Sequence, residues 1–222
     1  MTVFAAASLT EAFTELGAAF EADHPLVMVS FNFSASSALA QQVNDGGPAD
    51  VFVSADEASM AEVTDAGRAS DPRVIARNRL AIIVERGNPK AIAGAADLAK
   101  RGTVLVLCAP EVPCGKLAAA VLKKAAVSVA PASLEENVKA VVSKVILGEA
   151  DAGIVYATDV KAAGDMAEGV DVGIADDPAL EAIYPIAVTA QAGNRELARA
   201  WIDFLLSELG QTILGRYGFL AP

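Results

Sequence analysis

Short apolar runs alternate with amphipathic stretches along most of this chain. Runs that are apolar throughout are typical of strands buried in a parallel sheet, and apolar positions at helical spacing indicate helices. The predicted strands cover residues 2–7, 27–33, 49–54, 80–84, 104–107, 153–156 and 184–188; predicted helices follow the first three strands and cover 116–125, 133–147 and 196–213. This alternation predicts an α/β fold with helices packed on mainly parallel sheets.

A serine stands where a strand meets a helix, and this arrangement occurs twice near the start of the chain. Ser8 follows the first strand, and Ser34, Ser36 and Ser37 compete for the equivalent place after the second. A helix N-terminus presents free backbone N–H groups and a partial positive charge, so two such junctions side by side predict an anion site. The alternative is local, because Ser8 and Glu11 form the Ser-x-x-Glu pattern of a capping box.

The composition permits a sizeable core and excludes one class of partner. The chain has 222 residues, of which 54% are hydrophobic and 20% charged, which suits one large domain or two small lobes. Its net charge of −11 excludes a nucleic-acid partner, because phosphate affinity needs clustered Lys and Arg. The same charge repels an anionic ligand at long range, so anion binding has to rest on short hydrogen bonds.

The first residues of the chain bear on the cellular location of the protein. No apolar run is long enough to span a membrane, and no basic segment followed by an apolar stretch marks a signal peptide. Because Met1 lies directly before a strand pattern, we expect an exported domain whose export segment has been removed. A cytosolic protein with a short N-terminus is the alternative.

The two cysteines, Cys108 and Cys114, are candidates for a metal site or a disulfide. They make a poor metal site, because no further cysteine is available and the single histidine, His24, is remote in sequence. A small structural disulfide is expected in an exported protein, and two buried thiols are the alternative. The sequence leaves both open.

Two linker-like segments suggest that the chain crosses twice between two lobes. They cover residues 73–79 and 176–181. The predicted lobe I is residues 1–79 with 185–222, and the predicted lobe II is residues 80–184. Ligands of such folds bind at the carboxyl ends of the strands, in the crevice.

Six segments, taken together and in this order, resemble the periplasmic molybdate-binding proteins of ABC importers. They are residues 4–10, 36–40, 48–56, 153–156, 184–188 and 216–219. The resemblance implies a two-lobed periplasmic-binding-protein fold of type II with the ligand in the interlobe cleft. It also implies a monomer, periplasmic or otherwise extracytoplasmic and with or without a lipid anchor, that captures molybdate or tungstate for a membrane permease and needs no cofactor.

The resemblance also assigns the ligand-binding residues. Hydroxyl donors fall on Ser8, Ser36 and Tyr156, and backbone N–H donors fall on Cys114 and Val138. Molybdenum is then bound as an oxyanion by these residues, and no site for a free metal cation is implied.

The assignment is less direct at two of these positions, Cys114 and Val138. The family usually has alanine where Cys114 stands, and its preceding loop is one residue longer; any residue except proline still supplies the N–H. Val138 offers its N–H only if Asn137 caps the helix, whereas a cap at Ser133, paired with Glu136, would place Val138 deeper in the helix.

Other polar residues favour structural interpretations. Asp50 and Asp56 resemble an acid–base pair, but caps or backbone contacts at strand ends are expected. His24 is expected to be exposed at a helix end, and residues 216–218 to form a turn.

The functional hypotheses are therefore ordered. Molybdate capture comes first and a receptor for another tetrahedral oxyanion, such as sulfate, second. A serine hydrolase comes last, because the chain lacks a Gly-x-Ser-x-Gly elbow and places His24 away from either serine junction.

Overall fold

The computed structural model describes residues 1–173 and 177–222. The chain divides into two compact units, which are unit 1 (Met1–Arg77 with Ile183–Pro222) and unit 2 (Asn78–Ala182). The sequence placed these boundaries at 79/80 and 184/185. Asp176, the first residue of the second predicted linker, lies outside the described residues.

Strands and helices alternate along the described chain. The strands are β1 (Thr2–Ala6), β2 (Ser30–Ser34), β3 (Val51–Val53), β4 (Ala69–Asn78), β5 (Leu80–Glu85), β6 (Leu105–Cys108), β7 (Ser133–Glu135), β8 (Ala152–Tyr156), β9 (Ala167–Val170) and β10 (Ala182–Thr189). The α-helices are α1 (Thr10–Asp23), α2 (Ser36–Asn44), α3 (Glu57–Asp65), α4 (Pro113–Lys124), α5 (Val138–Ile146), α6 (Ala157–Ala163), α7 (Arg195–Leu206) and α8 (Glu208–Arg216). Short 3₁₀ turns cover Ala7–Leu9, Ala95–Ala99, Gly164–Met166 and Pro178–Leu180.

Unit 1 is built on a mixed sheet with the strand order β2-β1-β3-β10-β4. Strands β2 and β3 pair with β1 in parallel, and β10 pairs with β3 in the antiparallel direction. In the central strands, residues 3–6 of β1 and all of β3 are apolar and buried, as expected for strands that helices cover. Trp201 of α7 packs edge-on against Phe13 and Phe20 of α1, which joins the two helices through an aromatic cluster.

Unit 2 repeats this plan with the strand order β7-β6-β8-β5-β9. Strands β7 and β8 pair with β6 in parallel, and β5 pairs with β8 and β9 in the antiparallel direction. The parallel strands β6, β7 and β8 are each followed by a helix. The expected α/β architecture is therefore present, with antiparallel strands β5 and β10 completing the sheets.

A glycine allows one helix of unit 2 to approach the sheet closely. A Cβ atom on Gly153 of β8 would lie 2.4 Å from Cγ1 of Val141 in α5. Any larger residue at this position has to push α5 away from β8. Gly153 therefore sets the distance between the strand that ends at Tyr156 and the helix that begins at Val138.

Three predicted elements were wrong. The predicted helix 133–147 begins at Val138, because Ser133–Glu135 instead forms the edge strand β7 beside β6. The predicted helix 196–213 is two helices, since Ser207 ends α7 and caps α8 by accepting a hydrogen bond from the N–H of Gly210. The first predicted linker, 73–79, lies mostly within strand β4.

In the described part of the chain, no helix combines the length and apolar character that crossing a membrane requires.

Candidate functional site

The two serine junctions of unit 1 lie at the same edge of its sheet. Ala6, the last residue of β1, is paired with Ser34, the last residue of β2, and the two strands are parallel. Ser8 lies two residues after Ala6, and Ser36 lies two residues after Ser34. Both serines are buried, with exposures of 4% and 1%. The strand register thus confirms that the two serine junctions lie at the same edge of the sheet.

The hydroxyl of Ser36 has a fixed polarity. Its Oγ accepts a hydrogen bond from the backbone N–H of Ala55 at 2.9 Å, and an N–H group can only donate. The proton of Ser36 therefore takes no part in this bond and remains available to an acceptor. Ser36 is the first residue of α2, and the N-cap residue Ala35 has no side chain that could bond the free N–H groups of the first turn.

The hydroxyl of Ser8 is bonded across the unit and not to its own helix. Its Oγ lies 2.9 Å from Oη of Tyr184 in β10, and both residues are buried. Ser8 lies inside the 3₁₀ turn Ala7–Leu9, and Leu9 is the N-cap residue of α1. The capping-box interpretation of Ser8 and Glu11 is therefore wrong, because the 3₁₀ turn moves the start of α1 to Thr10.

Unit 2 collects three helix N-termini at one sheet edge. The parallel strands β6, β7 and β8 end at Cys108, Glu135 and Tyr156, and α4, α5 and α6 follow them. Backbone N–H groups in a first helical turn have no acceptor within the helix and carry its partial positive charge. Cys114 is the second residue of α4 and Val138 the first residue of α5, so each presents such an N–H group.

The loop before α4 is constrained twice. Cys108 and Cys114 form a disulfide whose Cα atoms are 5.9 Å apart, so the question that the sequence left open is resolved in favour of the bonded form. A Cβ atom on Gly115 would lie 1.9 Å from the carbonyl oxygen of Ala109, so only glycine fits against the turn. The covalent bond and the close approach together hold the Cys114 N–H at the end of β6.

Of the two caps that the sequence left open, Asn137 is the N-cap residue of α5. Its Oδ1 accepts a hydrogen bond from the N–H of Ala140 at 3.1 Å, which leaves the Val138 N–H at the first helical position. The alternative cap, Ser133, lies in β7 and donates its hydroxyl proton to Glu135. The alternative was wrong because the residues from Ser133 to Glu135 pair with β6.

Tyr156 ends β8 and is 2% exposed. Its backbone N–H donates to Oδ2 of Asp159 in the first turn of α6 at 3.2 Å. The other carboxylate oxygen of Asp159 lies 2.9 Å from Nζ of Lys139 in α5, and the Asp159 side chain is fully buried. This ion pair ties the start of α5 to the start of α6. Within this pair the two opposite charges offset each other.

The remaining polar residues have structural roles. Asp50 accepts from the N–H groups of Thr2 and Gly193, and Asp56 caps α3 by accepting from Ser59, so the expectation of backbone contacts is confirmed. In the turn at residues 216–218, Tyr217 donates to Glu15.

His24 was expected to be exposed, but it is half-buried. Its ring stacks on Phe20 at a centroid distance of 4.1 Å, and its Nδ1 lies 2.9 Å from the Phe20 carbonyl oxygen. It follows the last residue of α1, as predicted. In residues 1–173 and 177–222, no three His, Cys, Asp or Glu side chains are grouped so that they could hold a metal ion.

Sequence reasoning missed the partners that hold the serines and the unit 2 loops. Tyr184 and Ala55 contact Ser8 and Ser36 across the sheet, and such pairings have no local signature. The sequence did carry a signal at Gly115 and Gly153. In a chain where alanine is abundant, glycine at these positions indicates that no Cβ atom fits there.

Comparison with protein families and solved structures gives consistent results. A family model described as "Bacterial extracellular solute-binding protein" matches residues 1–220. The molybdate-binding protein ModA of Mycobacterium tuberculosis is 40% identical over 223 residues, which cover 100% of this chain and 85% of the relative.

The fold also matches solved structures of low sequence identity. The periplasmic molybdate-binding protein of Azotobacter vinelandii has a TM-score of 0.86 at 18% identity, covering 100% of this chain and 99% of that one. The sulfate-binding protein SubI of Mycobacterium tuberculosis has a TM-score of 0.84 at 21% identity, covering 99% and 85%. These two likenesses bear on the fold alone.

Proposed function

This chain belongs to the family of bacterial extracellular solute-binding proteins, and from that premise we propose that it binds molybdate or the closely similar tungstate. The proposed donors are the hydroxyls of Ser8, Ser36 and Tyr156 and the N–H groups of Cys114 and Val138. The observation that carries the proposal is the buried Ser36 hydroxyl, whose oxygen is already occupied by the Ala55 N–H. Such a hydroxyl is suited to donate to an anion that only accepts.

The chemistry of molybdate fits such a set of donors. At neutral pH it is a dianion without protons, so each of its oxygens accepts hydrogen bonds and none donates. Hydrogen bonds to charged groups contribute roughly 1.5–3 kcal/mol each. Five of them contribute about 8–15 kcal/mol before the costs of desolvation and ordering, enough for dissociation constants between micromolar and nanomolar.

Selectivity then has two sources. Sulfate carries the same charge and no proton, so only its smaller size distinguishes it, because donors spaced for molybdate stay stretched around it. Hydrogen phosphate carries a proton that needs an acceptor, and a site made of donors leaves that proton unmet. Sulfate is therefore the competitor that most directly tests the proposal.

The cellular role follows from the family. We propose that the protein works as a monomer outside the cytoplasmic membrane, with or without a lipid anchor, and delivers its ligand to the membrane permease of an ABC importer. It needs no cofactor, and molybdenum reaches the site as the oxyanion and not as a cation.

Hydrolysis at Ser8 with His24 as the general base is not supported by their positions. The single histidine, His24, follows the last residue of α1, whereas Ser8 precedes the first. The 14 residues of this helix span about 21 Å at 1.5 Å per residue. A base has to lie within hydrogen-bond reach of the nucleophile, so His24 does not serve Ser8.

Native mass spectrometry of the desalted protein tests the proposal. The protein is offered equal concentrations of molybdate, tungstate, sulfate and phosphate, first separately and then together. We expect one molybdate or tungstate per chain, retained in the mixture. Equal retention of sulfate, or no oxyanion bound at all, would overturn the proposed ligand.

A further inference from the structure

The hydroxyl of Tyr184 contacts Ser8, a proposed hydroxyl donor of unit 1. The two oxygens, Tyr184 Oη and Ser8 Oγ, are 2.9 Å apart. The Tyr184 ring packs edge-on against the ring of Phe219, with the ring centroids 5.4 Å apart. Tyr184 is fully buried and Ser8 is 4% exposed, so bulk water does not compete for this bond. Tyr184 sits in β10, whose register with β3 fixes the position of its backbone.

The direction of this hydrogen bond decides what Ser8 can offer a ligand. A serine hydroxyl has one proton, and if that proton went to Tyr184 it would not be available to an anion. Ser36 avoids this conflict because its partner is a backbone N–H, which only donates. For Ser8 the partner is a second hydroxyl, and either oxygen could supply the proton.

The relative acidity of the two hydroxyls favours Tyr184 as the donor of this hydrogen bond. A phenol is a stronger acid than an alkyl hydroxyl, so Tyr184 is the better donor and Ser8 the better acceptor of the pair. An anion bound at Ser8 strengthens this preference, since hydrogen bonds in a chain polarise one another. The expected chain runs from Tyr184 to Ser8 to the oxyanion.

We propose that Tyr184 is a positioning residue that sets the specificity of the site by donating to Ser8, which directs the Ser8 proton to the ligand. This proposal rests on the proposed function, since it assumes that Ser8 binds an oxyanion. A ligand that brings its own proton, such as hydrogen phosphate, needs an acceptor, and the Ser8 oxygen that already accepts from Tyr184 is a poorer acceptor for that second proton. Tyr184 thus makes discrimination against protonated oxyanions a property of the fold.

A comparison of sulfate with hydrogen phosphate separates the effect of the ligand proton from the effect of ligand size. Both are small tetrahedral dianions at pH 8, and they differ mainly in whether they carry a proton. Calorimetry measures the binding of molybdate, sulfate and phosphate, each by direct titration. Tyr184→Phe keeps the ring and removes the hydroxyl; Tyr217→Phe is the matched control, because the Tyr217 hydroxyl donates to Glu15 elsewhere in unit 1.

The expected results are specific to the hydroxyl. Tyr184→Phe should weaken molybdate binding about 3- to 10-fold, as for one lost buried hydrogen bond, and should lower the ratio of sulfate affinity to phosphate affinity by a similar factor. Tyr217→Phe should change neither quantity. In a Ser8→Ala background, Tyr184→Phe should have no further effect on the ratio, because its acceptor is gone.

Each contrary outcome has its own meaning. A folded Tyr184→Phe variant with the wild-type sulfate-to-phosphate ratio would overturn the role of Tyr184 while leaving molybdate binding intact. A purely structural role would weaken all oxyanions equally and so leave that ratio unchanged. Wild-type protein that binds sulfate but not molybdate would overturn the proposed function, and the ratio would still decide the role of Tyr184; no oxyanion binding at all would overturn both. Thermal melts verify folding, and Tyr184→Met replaces the Phe variant if the latter is unfolded.

Discussion

Replacing Ser36 with alanine should weaken both the fold and the binding of molybdate, for separate reasons. The hydroxyl accepts the Ala55 N–H at 2.9 Å in a position that is 1% exposed. Ser36→Ala removes the acceptor and leaves the Ala55 N–H buried without it. The same change removes the proton that we propose is donated to the oxyanion.

Both magnitudes follow from the contacts. A buried N–H that loses its acceptor costs roughly 1–3 kcal/mol of stability. At roughly 2–4 °C per kcal/mol for a chain of this size, Tm of the ligand-free protein falls by about 2–12 °C. Loss of one charge-assisted hydrogen bond of roughly 1.5–3 kcal/mol raises Kd for molybdate about 10- to 150-fold.

Thermal melts of ligand-free protein and calorimetric titration with molybdate measure the two effects. Ser37→Ala is the matched control, because Ser37 is the neighbouring, half-buried serine of the same helix and no ligand role is proposed for it. The control should change Kd less than twofold. An unchanged Kd in Ser36→Ala, or an equal loss in Ser37→Ala, would refute the assignment of the second hydroxyl donor to Ser36.

The other predictions concern unit 2. Gly115→Ala should destabilise the protein by about 1–3 kcal/mol in chemical denaturation and weaken molybdate binding, because the new Cβ displaces the start of α4; wild-type affinity would contradict this role. Replacing both Cys108 and Cys114 with serine should cost about 2 kcal/mol of stability and weaken molybdate binding; a titration that matches wild type would show that the disulfide does not position the loop. Burial alone would raise the pKa of the Glu135 carboxyl, but hydrogen bonds from Lys144 and Ser133 outweigh it and hold the pKa below its ordinary value. The ionised carboxylate therefore contributes stability that is complete above the unfolded-state pKa and is lost as the pH falls through the lower folded-state pKa. In urea denaturation, wild type should exceed Glu135→Gln in stability near pH 7, and the difference should disappear on acidification; a constant difference from pH 7 to pH 3 would contradict the assignment.

The sequence predicted the parts of the site that depend on local order. A strand that ends just before Ser8 or Ser36 places the serine beyond the carboxyl end of that strand, and the parallel register of β1 and β2 brings the two junctions to the same edge of the sheet. Local pattern offered Asn137 and Ser133 as caps of α5, and an asparagine directly before the apolar positions of a helix is a known start signal. These features need only neighbouring residues to be recognised.

The contacts that orient the site were beyond local reasoning. Ser8 and Tyr184 are separated by 176 positions in the sequence, and Ser36 meets the Ala55 N–H across the ends of two strands. The edge strand β7 has only three residues, none of them buried, so hydrophobic periodicity extended the following helix over it. Tertiary pairing decided these features where local pattern favoured another answer.

We propose that a single oxyanion takes hydrogen bonds from donors of both units. Calorimetric titration with molybdate of the wild type, Ser8→Ala in unit 1, Tyr156→Phe in unit 2 and the double variant tests it most directly. We expect one molybdate per chain, a Kd raised about 10-fold or more by each single change, and a further rise in the double variant. Two molybdates per chain, or a Tyr156→Phe variant that binds as tightly as wild type, would contradict it.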